Sequence, residues 1–128
     1  MIKNYDGKDG LVLCAIGGII DIEKWIGAID MWDHSVLNYE DILQSVNNLL
    51  KGELITQKKN KFIPSPTAKS IVKGSWRMST AEWQTAVRER ICHYTFDDGK
   101  ETNFYFSKEE YESAYKRYWE RMARWMRS

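Results

Sequence analysis

The sequence predicts a mainly α chain with a small β-hairpin. Apolar residues recur at spacings of three and four in several stretches, which is the mark of helices with one buried face. Ser, Asp and Asn stand where those helices would begin. Two short β-prone runs, residues 54–57 and 61–63, flank the polar turn Lys58-Lys59-Asn60. A chain of 128 residues that is 43% apolar and 13% aromatic, with six Trp and seven Tyr, is long enough for one compact domain or a small domain with an appendage. That aromatic load argues against disorder.

Residues 11–16 form an apolar run that reads as a helix capped by Asp9 and ended by Gly17-Gly18. Ile19-Ile20 follows as a short extended piece. Asp21 is the next expected N-cap, with Glu23 in a first turn whose dipole favours anions. Ile22, Trp25, Ile26, Ile29 and Trp32 then share one face. The clearest helix starts at Asn38. Its Tyr39, Ile42, Leu43, Val46, Leu49 and Leu50 form an apolar arc, Glu40, Gln44, Asn47, Asn48 and Lys51 a polar one, and Gly52 its stop. After the hairpin, Pro64 and Pro66 lack the N–H a ladder needs, so pairing is expected to end there. A further helical turn over 67–72 takes Ser65 or Thr67 as its cap.

This order of helix, short strand, helix, helix and basic-tipped hairpin resembles a winged-helix domain, and residues 9–73 carry the resemblance. Residues 38–55, a helix running into Leu50-Lys51-Gly52-Glu53-Leu54-Ile55, look like the third helix and first wing strand of bacterial winged-helix proteins. Residues 61–69 look like the second wing strand and following turn, with Ala68-Lys69 where the family usually has Gly and a polar residue. The resemblance implies a winged helix-turn-helix over residues 1–75, plus a C-terminal helical extension over 76–128. It also implies a DNA-binding transcriptional regulator, whose recognition helix reads base edges in the major groove of double-stranded DNA while the wing touches phosphate. On this chain the candidates are Gln44, Ser45, Asn47 and Asn48 for base edges, and Lys51, Lys58, Lys59 and Lys61 for phosphates.

Charge opens an alternative, a winged-helix protein–protein interaction module that does not bind DNA. Residues 1–75 hold nine lysines against nine acids and no arginine, and Glu40 and Asp41 sit at the helix end that would meet the polyanion. A polar arc is also what any solvated helix face requires.

In the second segment, Ser79-Thr80-Ala81-Glu82 and Ser107-Lys108-Glu109-Glu110 fit capping boxes. Between the helices they open, Asp98-Gly99 suggests a short β-hairpin over 94–106, or two short extended pieces. A long C-terminal helix is expected over 107–127. On it Tyr111, Tyr115, Tyr118, Met122 and Trp125 step by four, three, four and three, a seam that packs on its own domain or serves as a homodimer interface. Arg117, Arg121, Arg124 and Arg127 read as the solvated face of the same helix.

No enzyme is expected. Cys92 and His93 are adjacent and so point about 100° apart on a helix, and Asp30, Asp33 and His34 lack a standard metal-ligand spacing. Asp97-Asp98 reads as turn chemistry and Gly17-Gly18 is no phosphate loop. No cofactor or metal is expected. With no run of about 18 apolar residues and no signal-peptide pattern, a cytoplasmic protein that does not engage a membrane is expected.

Overall fold

The computed structural model describes residues 1–33 and 37–127, and the side chains of all of these except 31–33 and 127. The expectations placed on Trp32, Asp33, His34 and Arg127 lie outside the described residues and side chains. The elements run β1 (Ile2–Asn4), α1 (Gly7–Ala15), β2 (Gly18–Ile19), α2 (Ile22–Asp33), α3 (Tyr39–Lys51), β3 (Ile55–Lys58), β4 (Lys61–Pro64), α4 (Pro66–Ile71), α5 (Thr80–Ile91), β5 (Thr95–Asp97) and α6 (Lys108–Arg127). The chain is therefore mainly helical, with two small antiparallel sheets: β1 with β5, and β2-β4-β3 in that order.

Local chemistry explains most boundaries. The cap of α1 is Asp6, three residues before the expected Asp9. Asp6 accepts from the Asp9 amide while the Asp9 carboxylate accepts from the Asp6 amide, a reciprocal box in which Asp9 is the third helical residue. Asn38, Ser65 and Ser79 cap α3, α4 and α5 by accepting from the amide three residues on. Asp21 and Ser107 do the same ahead of α2 and α6. At the end of α3, Gly52 is present for space and not for conformation: its φ is −88°, and a Cβ there would overlap the Tyr5 hydroxyl. The left-handed residue is Glu53, with φ 57°. In the β3–β4 hairpin the register puts Ile55 opposite Pro64 and Lys58 opposite Lys61, and the Ser65 amide still donates to the Leu54 carbonyl, so pairing runs one step past the first proline.

The 94–106 hairpin is not formed. β5 pairs with β1, Ile2 lying opposite Asp97, and residues 98–106 contain no strand. Asp97 turns the chain by accepting from the Gly99 and Lys100 amides. The segment then runs beside α3, where Phe104 and Phe106 spend their alternation on aromatic packing with Trp25, Phe62 and Tyr39 instead of on a ladder.

One core joins both segments. Leu11 and Val12 of α1, Trp25 and Ile29 of α2, Ile42, Val46 and Leu49 of α3, and Ile71 of α4 cluster with Val87 and Ile91 of α5, Phe96 of β5 and Phe106. Gly10 lets α1 and α5 approach: a Cβ there would lie 3.1 Å from the Arg88 Cα. A second small cluster of Ile26, Ala114 and Tyr118 lays α6 on α2.

Candidate interaction surfaces

The polar arc of α3 is where the sequence places base-reading residues, and the rest of the chain occupies most of it. Ser45 is buried. It and Asn48 both face Asp9, the Asn48 Nδ2 lying 3.4 Å from the carboxylate. Burial of Asp9 raises its carboxyl above the ordinary range, and the Asp6 amide, Ser45 and Asn48 work against that rise by hydrogen bonding to the charged form. The Asn48 carbonyl accepts from the Tyr5 hydroxyl at 3.0 Å. Asn47 is saturated as well. Its Nδ2 donates to the carbonyls of Leu43 (2.9 Å) and Phe104 (3.1 Å), and its Oδ1 accepts from the Thr102 hydroxyl at 2.8 Å. Lys51 pairs with Asp98 at 3.5 Å, and Asp98 also meets Lys3 at 3.2 Å. The Lys3 ammonium holds that carboxyl below its ordinary value. Of the expected base-reading residues, only Gln44 is exposed.

The residues that cover this face are Asp98, Thr102, Phe104 and Phe106, with Lys100 paired to Glu53 at 2.7 Å. None was a candidate from sequence. The alternation of Phe104 and Phe106 was the available signal. The physical reason for the difference is that a helix's polar arc can be satisfied by another part of the same chain as well as by water.

The lysines of the β3–β4 hairpin behave differently. Lys58, Lys59 and Lys61 are all exposed at one turn, brought together by the two-residue loop Lys59-Asn60. Lys59 itself is left-handed, with φ 58°.

The seam of α6 packs inside the chain over most of its length. Tyr118 is buried against Ile26 and donates to Asp30 at 2.7 Å. It fits because α2 carries Gly27 at the crossing, where a Cβ would approach the ring to 3.0 Å. Tyr111 donates to the Leu37 carbonyl, and Tyr115 and Met122 are half-buried beside the same cluster. Arg117 and Arg121, expected as solvated charges, both reach Glu23 of α2. Only the distal turns stay open: Trp119, Trp125 and Met126 are 43%, 72% and 71% exposed. Trp76, between α4 and α5, is 88% exposed under a cation–π contact from Arg77.

Among the described residues, no group of three or more His, Cys, Asp or Glu is placed to hold a metal ion, and no helix is long and apolar enough to cross a membrane. Compared with protein-family models, curated proteins and solved structures, the chain matches none.

Proposed function

We propose that the chain is a winged-helix-type protein–protein interaction module and not a reader of DNA. The scaffold part of this reading is supported by the order α1-β2-α2-α3-β3-β4 and by the pairing of β2 with β4 beside β3. The functional part rests on one observation: the α3 face that would enter a groove is bound by residues 98–106 of the same chain, through Asn47 and Lys51. The open aromatic end of α6 supplies the apolar anchors a polypeptide partner, a second copy included, would use. The test is a fluorescence-anisotropy titration of mixed-sequence duplex DNA with the intact chain at low salt, where phosphate attraction is strongest. No binding at micromolar protein is expected; salt-sensitive binding that Lys58→Ala and Lys59→Ala abolish would overturn the reading.

A second reading, a DNA-binding regulator, is favoured by the exposed cluster of Lys58, Lys59 and Lys61. It requires the wing to carry the contact with little help from α3.

A further inference from the structure

A cavity of about 150 Å³ lies between the C-terminal end of α1, the β3–β4 sheet, α4 and α5. Its floor is made of the buried side chains of Leu13, Ile16, Ile55, Phe62 and Ala68. Its rim is Cys14, Pro64, Val72 and Trp83, all half-buried, with Gly17 exposed at the edge. The lining is poor in polar partners. Trp83 commits its indole N–H to the Val72 carbonyl at 2.7 Å and so turns hydrocarbon surface to the space. Pro64 has no N–H. Burial pushes the Cys14 thiol up to about 12, so no lining side chain is ionised at neutral pH. A water needs two to four polar partners to be held well, which this lining does not offer, whereas an apolar space of roughly 150 Å³ has room for a benzene-sized ring.

We propose that this cavity is a binding site for a small uncharged apolar molecule, of the size of one aromatic ring or an equivalent branched aliphatic group. Charge is excluded because burying an ion without a counter-charge costs far more than the contacts return. Size is bounded by the floor, which five packed side chains close. Because the lining comes from α1, the sheet and α5, an occupant ties the N-terminal segment to the C-terminal one and is felt at the strands that carry the wing. The site stands independently of whether the wing or α6 meets a partner.

The test uses the full chain with benzene, toluene and indole as probes, read by methyl chemical shifts of Leu13, Ile16 and Ile55 and by Tm. Saturable shifts confined to the methyls that line the cavity are expected, with Tm rising by a few degrees at saturation, as for any ligand that binds only the folded state. Gly17→Leu is the blocking variant. A Cβ at position 17 meets nothing within 4 Å, so the added side chain displaces no neighbour, and the position lies at the edge of the cavity. Val72→Phe is a second variant that narrows the rim from the residue that follows α4. Each is expected to weaken benzene binding at least tenfold with an unchanged circular dichroism spectrum. Absence of methyl shifts up to the solubility limit of benzene, or equal affinity in both folded variants, would overturn the proposal. So would binding of a Trp- or Leu-containing peptide with none of the free rings, which would assign the space to another polypeptide's side chain.

Discussion

Asp9 shows how a single side chain links helix start, packing and pH. It closes the capping box of α1, yet it is only 3% exposed. Its folded-state pKa lies above the ordinary value, chiefly because burial disfavours the charge. A group raised on folding contributes stability that is fully present below its unfolded pKa, near 4, and is lost as pH rises through the folded value. Asp9→Asn keeps an oxygen to accept the Asp6 amide but has no charge to bury. Relative to wild type, the variant is therefore expected to gain stability between pH 4 and pH 7 and to gain nothing at pH 3. Urea midpoints of both proteins at the three pH values check this, and the comparison cancels Glu53, Asp97 and Asp98, whose lowered pKa values act in the opposite direction. Gly52 is the second sensitive position. Gly52→Ala places a methyl inside the Tyr5 hydroxyl and within 3.1 Å of the Phe96 Cβ, so the β1–β5 ribbon must shift. Overpacking of this kind costs about 1–3 kcal/mol. A fall in the urea midpoint of that size is expected, with Tyr5→Phe in the same background restoring part of it by removing the overlapping oxygen.

At the scale of elements, what was legible in the sequence is what local chemistry decides. Asn38, Ser79 and Ser107 announce α3, α5 and α6 because a short polar side chain satisfies an orphan amide wherever the rest of the chain goes. The apolar arc of α3 likewise gives Ile42, Val46 and Leu49 as core. What was not legible depends on partners distant in sequence. β1 is three exposed residues that become a strand only because β5 lies beside them. The outward face of α3 reads as solvated until residues 98–106 cover it. That strap has its own test. Asn47→Ala removes the bonds to Thr102 and Phe104, and backbone amides over 100–106 are expected to exchange faster while those of α3 stay protected, as hydrogen exchange by NMR would register. Lys59 tests the hairpin. A non-glycine residue at φ 58° carries roughly 1 kcal/mol of strain, so Lys59→Gly is expected to raise the thermal midpoint although it removes a charge. Under the DNA reading the same variant trades that gain for weaker binding.

For the whole molecule, the sharing of one core across the boundary expected near residue 75 has a direct consequence. Val87, Ile91, Phe96 and Phe106 lie beyond that boundary, and each is at most 5% exposed among residues that precede it. A chain cut after Ser75 exposes the faces of α1 and α3 on which they pack, and β1 loses its only pairing partner among the described strands. Burying a large apolar side chain contributes about 1.5–3 kcal/mol, and a domain's net stability is only about 5–15 kcal/mol. Losing four such residues therefore removes a share comparable to the whole. The fragment 1–75 is expected to lack a cooperative thermal transition, although it retains the helix, strand and hairpin order that gives the N-terminal segment its resemblance. The intact chain is expected to unfold in one step, with calorimetric and van't Hoff enthalpies in agreement. A fragment that melts cooperatively by itself would show that the C-terminal segment is an appendage docked on a self-sufficient domain. The cover over α3 would then be a detachable part and not a structural necessity, and the case for reading that face as permanently closed to DNA would lose its foundation.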